Sequence, residues 1–286
     1  RWTISNGSCT DSFDDVVLTN DVQPTADAHE PSGTTSFDEC ALTHTVDALA
    51  AIGTGTWTQQ SGPGTLTFGM TANDPDQTFT VDAYGAYVFR WTDVNGTCSD
   101  FDEITVNFFE DPTIAAAGTD IDQCNSSTFV MSANVPVVGT GTWSVQSGFA
   151  VTITNPTSAT TTITGLTAGN SSTLRWTISN GSCTDSFDDV VLTNDVQPTA
   201  DAHEPSGTTS FDECALTHTV DALAAIGTGT WTQQSGPGTL TFGMTANDPD
   251  QTFSVDAYGA YVFRWTDVNG TCSDFDEITV NFFEDP

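Results

Sequence analysis

The chain has 286 residues, length for two or three domains, and carries 38 acidic residues against four Arg and no Lys, a formal net charge of −34. No basic patch can form, which excludes nucleic-acid binding, and an anionic membrane surface would repel such a chain. Acidity of this kind accompanies disorder where apolar residues are scarce. Here seven Trp and 18 Phe supply core residues, so the charge points instead to a saline or otherwise extracellular setting, where screening removes self-repulsion.

Taken in chain order, "RWTISNGSCTDS" (1–12) reads as the end of one strand, a tight turn and the start of the next. Residues 1–23 are expected to be the C-terminal part of a truncated domain, with the partner of Cys9 preceding the sequence. Pro24, Pro112, Pro198 and Pro286 then mark boundaries at intervals of 88, 86 and 88 residues. Domains are expected at 24–111, 112–197 and 198–285, with residue 286 opening another. Residues 1–112 recur at 175–286 with a single difference, Thr80 against Ser254. The 112–197 sequence is type A and its neighbours are type B, so the order is A-tail, B, A, B, a segment of a longer alternating array.

Every unit reads as all-β. Thr, Val, Ser and aromatic residues dominate, turn signals fall every 8–12 residues, and no stretch holds a 3.6-residue period. In type A, strands are predicted near 127–135, 139–147, 150–155, 159–165, 172–179 and 182–193. About seven short strands in such a length indicate an immunoglobulin-like sandwich, with a closed barrel as the structural alternative. "GTGTW" begins at 53, 139 and 227; "RWT" begins at 1, 90, 175 and 264. The Trp of the first motif is expected to pack on the Trp of the second, pairing Trp57 with Trp91, Trp143 with Trp176 and Trp231 with Trp265 as core anchors rather than a sugar-binding platform.

An "NG[ST]C" turn follows each "RWT". Asn180-Gly181 as a two-residue hairpin turn pairs Ser179 with Ser182 and Arg175 with Ser186. Leu174, Trp176, Ile178 and Cys183 then share the core face. Arg175 falls on the outer face, diagonal to Asp188; the same register sets Arg90 diagonal to Glu103, Arg264 to Glu277 and Arg1 to Asp14. Each is expected to form a surface ion pair with its cross-strand acid.

Cysteine spacing repeats: 58 residues from Cys40 to Cys98, 59 from Cys124 to Cys183, and 58 from Cys214 to Cys272. One disulfide inside each complete domain is the expectation, leaving Cys9 single. No CxxC pair occurs, which argues against a zinc ribbon or a thioredoxin-type site.

No catalytic constellation is evident. His29, His44, His203 and His218 are the only histidines, GxSxG is absent, and "HEPSG" (29–33) lacks the second His of a zinc-protease helix. No enzyme activity and no cofactor are expected. Calcium at acidic interdomain sites is the competing reading, because type B carries 14 acids and one Arg. Its candidate oxygen clusters are Asp74 with Asp76, Asp38 with Glu39, and Glu110 with Asp111. "TNDVQP" (193–198) faintly resembles a cadherin linker but lacks the Asp that precedes it there. N-x-S/T sequons stand at Asn6, Asn95, Asn125, Asn170, Asn180 and Asn269.

"GTGTW", "TTTITGL" (160–166), "TLRWTISNGSC" (173–183) and "DDVVLT" (188–193) resemble the PKD-like, immunoglobulin-like repeats of giant Bacteroidota cell-surface proteins, the SprB-type gliding adhesin repeats among them. Type A matches along nearly its whole length. Type B keeps "GTGTW", "RWT" and "NGTC" but has "VDAYGAY" (81–87) in place of "ITGLTAG". The resemblance implies type IX export and display as a long cell-surface fibre, with no catalysis in the repeats. The short Pro-containing linkers favour a semi-rigid extended array. The expected role is a structural stalk or filament of an extracellular bacterial adhesin, whose partners are neighbouring domains of the same chain and, through self-association, other chains. No segment suited to membrane insertion occurs. A calcium-dependent adhesive module and a laterally assembling sheath stay open as alternatives.

Overall fold

A computed structural model describes residues 1–30, 33–203 and 207–286. Both gaps fall in the two copies of "HEPSG", so that stretch lies partly outside the described residues. Every regular element among them is a strand. Contacts group the chain into two units: Arg1–Pro112 with Ser179–Asp185, and Thr113–Ile178 with Ser186–Pro286.

The first unit opens with a hairpin, β1 (Trp2–Ile4) against β2 (Ser12–Asp14). A sandwich follows, built from β3 (Ser36–Glu39), β4 (Thr43–Asp47), β5 (Thr54–Ser61), β6 (Leu66–Phe68), β7 (Asp76–Val81), β8 (Gly85–Asn95) and β9 (Cys98–Phe108). One sheet has the order β3-β9-β8-β5 and the other β4-β7-β6. Strict alternation explains the layering. Along β8, Tyr87, Phe89 and Trp91 point inward; β9 adds Ile104, Val106 and Phe108, and β7 adds Phe79 and Val81.

The second unit repeats this plan twice. Its first sandwich holds β10 (Ile121–Cys124), β11 (Thr128–Ser132), β12 (Thr140–Gly148), β13 (Thr152–Ile153), β14 (Thr160–Thr164), β15 (Asn170–Ser179) and β16 (Ser186–Asp195). Its second holds β17 (Ser210–Glu213), β18 (Thr217–Asp221), β19 (Thr228–Ser235), β20 (Leu240–Phe242), β21 (Asp250–Val255), β22 (Gly259–Asn269) and β23 (Cys272–Phe282). The sheets are β10-β16-β15-β12 with β11-β14-β13, and β17-β23-β22-β19 with β18-β21-β20.

β10, absent from the sequence-based strand assignment, changes the cysteine chemistry. It runs parallel to β16, with Cys124 beside Asp195. β3 runs parallel to β9 in the same way, with Glu39 beside Phe108. Cys40 therefore sits past the end of β9 while Cys98 stands at its start. Eleven residues of strand separate these positions, about 35 Å at the usual rise. A disulfide needs Cα atoms within about 7 Å, so Cys40–Cys98 cannot form, nor can Cys214–Cys272 across the matching β17–β23 pair. The structure pairs Cys40 with Cys183 and Cys124 with Cys272, and Cys9, Cys98 and Cys214 are free. One disulfide per domain is thus corrected to bonds between successive sandwiches.

The hairpin register also differs from expectation. In type B the turn residues are Gly96-Thr97, with Asn95 paired to Cys98. Gly96 has φ +62° while Asn95 stays out of the left-handed region. A Gly in the first central position is the II′ signature rather than I′. Arg90 then lies directly opposite Glu103, and Arg264 opposite Glu277. In type A the turn is longer, since Ile178 pairs with Ser186 and Arg175 with Asp189. That odd shift turns Asp188 to the other face, opposite Trp176, where its carboxylate accepts from the Ala117 N–H at 2.8 Å. Likewise Arg1 meets Asp15 rather than Asp14. Trp2 and Cys9, expected to face a core, are exposed, and among the described residues β1 and β2 pair only with each other.

Candidate functional site: the disulfide-bridged joints

Three ends of chain meet three hairpin turns, and each meeting uses the same parts. In the first unit, Phe109 continues the sheet through its N–H to Glu39 O at 2.7 Å. Its ring lies over Gly181, at φ +56°, where a Cβ would come within 2.3 Å of the ring. Only glycine permits both that backbone and that approach. Asn180 Nδ2 donates to Glu110 O at 2.7 Å. These contacts bring Cys183 to Cys40, with Cα atoms 4.8 Å apart across 143 residues of sequence.

The second unit holds a chemically different version. Asp195 Oδ2 accepts from the Thr271 N–H at 2.7 Å and the Thr271 hydroxyl at 3.0 Å. Asn269 Nδ2 donates to Val196 O at 2.8 Å, and Gln197 Nε2 to Ser273 O at 2.9 Å. Asn125 adopts a positive φ of 47° and donates its N–H to Asp195 O. Cys124 thereby reaches Cys272, with Cα atoms 4.9 Å apart across 148 residues. On chain-entropy grounds, closing one loop of this length contributes about 5 kcal/mol. The two loops overlap, so the second contributes less.

Residues 21–23 build the same joint on the first sandwich without a sulfur bond. Asp21 accepts from the Thr97 N–H at 2.9 Å, Asn95 Nδ2 donates to Val22 O at 2.8 Å, and Gln23 Nε2 to Ser99 O at 3.0 Å. Cys98 Sγ lies 3.8 Å from Asp21 O, as Cys272 Sγ lies 3.6 Å from Asp195 O.

Behind the joints stand the tryptophan pairs. Ring centroids are 5.3 Å apart for Trp57–Trp91, 5.2 Å for Trp143–Trp176 and 5.3 Å for Trp231–Trp265, and all six rings are buried. The second glycine of each "GTGTW" makes room for them: a Cβ on Gly55, Gly141 or Gly229 would meet the ring of Trp91, Trp176 or Trp265. Trp91 Nε1 donates to Leu49 O and Trp265 Nε1 to Leu223 O, both at 3.0 Å. Trp176 Nε1 is buried without a partner.

On the outer face each Arg sits over a Phe and grips an acid. Arg90 lies 4.0 Å above the Phe101 ring and 2.6 Å from Glu103; Arg175 lies 3.7 Å above Phe187 and 2.7 Å from Asp189. Arg264 repeats this with Phe275 and Glu277, and Arg1 with Phe13 and Asp15. Hydrogen bonding to Arg175 holds the Asp189 carboxyl below the usual carboxylate range. Solvent screening keeps the contribution of the exposed ion pair small, and the ring contact adds to it. The Phe was not singled out from sequence, although it recurs two residues before the acid in type B and Asp189 follows it by two in type A.

Four of the acidic groups considered for calcium have partners outside their expected pairs. Asp38 accepts from Asn107 Nδ2, and Glu39 Oε1 lies 2.8 Å from His44 Nδ1. Asp111 Oδ1 lies 3.2 Å from the Cys40 sulfur. Asp76 is paired with Asp47, directly opposite it across β4–β7. The hydrogen bond to Asp47, with burial and repulsion from Asp47 and Asp74, raises the Asp76 carboxyl above its ordinary value. Among the described residues, one group of acid and sulfur ligands converges, Cys40, Asp111 and Cys183. Both sulfurs there are spent in the disulfide and are not thiolate ligands. His44 is buried against Glu39 and Phe37, and its Nε2 has no partner. No Ser, Thr or Cys is hydrogen-bonded to a histidine ring among the described residues.

No family model matches the sequence, and no curated protein is detectably similar to it. Solved structures are similar in fold. The I67–I69 fragment of the titin I-band is 12% identical, with 93% of this chain and 100% of that chain covered at a TM-score of 0.52. Its E-to-A variant is also 12% identical, covering 91% and 98% at 0.52. Extracellular domains 3–5 of Drosophila OTK are 10% identical, covering 93% and 98% at 0.45. The chain's own sheets and its likeness to the two titin fragments make it an all-β tandem of immunoglobulin-like sandwiches.

Proposed function

We propose that this chain is a non-catalytic structural repeat region from the stalk of an extracellular surface protein, whose successive sandwiches are joined by covalent bonds. The observation that carries this reading is the placement of both disulfides. Each links one sandwich to the hairpin turn of the next rather than stapling a single core. Such bonds resist reduction only in an oxidising compartment. The net charge of −34 suits a surface exposed to salt. No helix among the described residues is long and apolar enough to cross a membrane. The resemblance to Bacteroidota surface repeats supports an adhesin stalk exported by the type IX route, and the immunoglobulin-like tandem fold is compatible with it.

Limited proteolysis in the 109–113 linker tests the joint. Without reductant the pieces stay together, held by Cys40–Cys183, and they separate after reduction. Separation without reductant would count against covalent joints. Melting with and without a chelator distinguishes the calcium-dependent adhesive module: a lower melting temperature in chelator would favour that reading over the structural one.

A further inference from the structure

We propose that reduction turns the Cys40–Cys183 joint into a zinc site, with the two thiolates and the Asp111 carboxylate as ligands. The proposal rests on the covalent-joint reading above and gives the same joint a second form of cross-link.

The ligand set is already gathered. One ligand atom each from Cys40, Asp111 and Cys183 lies within 4.8 Å of the other two. Asp111 Oδ1 is 3.2 Å from the Cys40 sulfur, and Glu110 O is 3.3 Å from the Cys183 sulfur. A tetrahedral zinc ion bonded at about 2.3 Å to sulfur and about 2.1 Å to oxygen sets such atoms roughly 3.6–3.8 Å apart. Once the disulfide is cut, rotation of the two Cys side chains opens the sulfurs to that separation with the Cα atoms still 4.8 Å apart. Water takes the fourth position, as at zinc sites with three protein ligands.

The frame that holds these groups does not depend on the sulfur bond. The Phe109 N–H donates to Glu39 O at 2.7 Å, which fixes the strand end beside Cys40. Asn180 Nδ2 donates to Glu110 O at 2.7 Å, which fixes the turn that carries Cys183. The Phe109 ring closes over Gly181. Asp111 stands between Glu110, anchored in this way, and Pro112, whose ring restricts the preceding residue to extended backbone.

The donor set selects the ion. Two thiolates favour zinc over calcium or magnesium, which take oxygen ligands. Two thiolates and a carboxylate concentrate three negative charges in a chain of net charge −34, a field that draws divalent cations. Without a cation this crowding opposes ionisation of the thiols; zinc removes the opposition and displaces both thiol protons to solvent. The preceding reduction is balanced by a trialkylphosphine and water. The phosphorus gives two electrons to the disulfide, water gives the two protons that make the thiols, and its oxygen ends on the phosphine oxide. The other joint lacks the third ligand. Gln197 Oε1, 2.8 Å from the Cys124 sulfur, belongs to a neutral carboxamide. Among the described residues no acidic oxygen forms such a group with Cys124 and Cys272.

Zinc titration of the full 286-residue chain tests this, with Cys9, Cys98 and Cys214 replaced by Ser so that only the joint cysteines remain. The chain is reduced with the phosphine, freed of it without air, and titrated against a chromophoric zinc indicator that outcompetes single carboxylates. The expected result is one zinc per reduced chain and none per oxidised chain. Cys40→Ser or Cys183→Ser abolishes binding, Asp111→Asn weakens it about tenfold or more, and Cys124→Ser leaves it unchanged. Tryptophan emission of each sample reports whether the buried Trp pairs remain packed. Five results would overturn the proposal: no zinc in a folded reduced chain, two zinc ions per chain, equal binding by the oxidised chain, an affinity indifferent to Asp111→Asn, or unfolding on reduction. Peptide mapping of the oxidised chain separates the two readings. A Cys40–Cys183 peptide without zinc binding after reduction refutes the metal site alone, whereas absence of that peptide refutes the joint on which the site rests.

Discussion

Force applied between Arg1 and Pro286 should expose how the two disulfides divide the chain. Cys124 lies inside the loop closed by Cys40–Cys183, and Cys183 lies inside the loop closed by Cys124–Cys272. The shortest covalent route crosses from Cys40 to Cys183, runs back to Cys124 and crosses to Cys272. That route uses about 110 residues, so at about 3.5 Å per residue the oxidised chain stops near an extension of about 390 Å. The reduced chain reaches roughly 1,000 Å, a gain of about 600 Å. Disulfides confined to single sandwiches would hide a nearly equal length, so variants decide between them. Cys40→Ser leaves the second loop closed and adds only about 25 residues, or about 90 Å. Cys98→Ser adds nothing. Single-molecule pulling, with and without reductant, measures each quantity. A gain of about 200 Å in either variant, the length of a loop of about 58 residues, would refute the observed pairing.

Three further outcomes follow from side chains already described. The folded state holds the Asp76 proton to a higher pH than the unfolded chain does, so this group costs stability as pH rises from the ordinary carboxylate value through the raised one. Asp76→Asn should accordingly raise the melting temperature at neutral pH and give no advantage in acid below the ordinary carboxylate value; a benefit independent of pH would contradict this. Trp91→Phe leaves Leu49 O unpartnered and should cost about 1 kcal/mol more than Trp176→Phe, whose Nε1 has no partner to lose, as read by hydrogen exchange of core amides in each sandwich. Gly181→Val sets a branched side chain against the Phe109 ring, so mild reductant should open Cys40–Cys183 faster and leave Cys124–Cys272 unchanged; equal acceleration at both would contradict the seat assigned to Phe109.

The all-β tandem architecture was legible because two-residue alternation and regularly spaced turns leave few alternatives. The parallel strands were not. "SFDE" and "IDQC" are four residues long and mostly polar, and nothing local distinguishes them from loop. Without them Cys40 and Cys124 have no position along β9 and β16. Spacing could not compensate, since in a periodic chain every pairing rule repeats with equal regularity, whether within a domain or between neighbours. The Asn-Gly dipeptide marked the hairpin end, but not its register. Asn95 remains in the strand with its amide committed to Val22 O, a demand arising in the preceding segment of chain. Once the register is known, the Phe beneath each Arg follows from strand geometry.

The two kinds of joint have a bearing on how such a chain changes length. A carboxylate linker is seated on a two-residue turn, and a phenylalanine linker on a longer one. Gain or loss of one sandwich would bring a linker to the wrong turn. Gain or loss of two leaves every joint as it was. With a single substitution between residues 1–112 and 175–286, the alternating pair is the unit of copying: the gene can lengthen or shorten by pairs without a seam, and each copied pair brings its own cross-links.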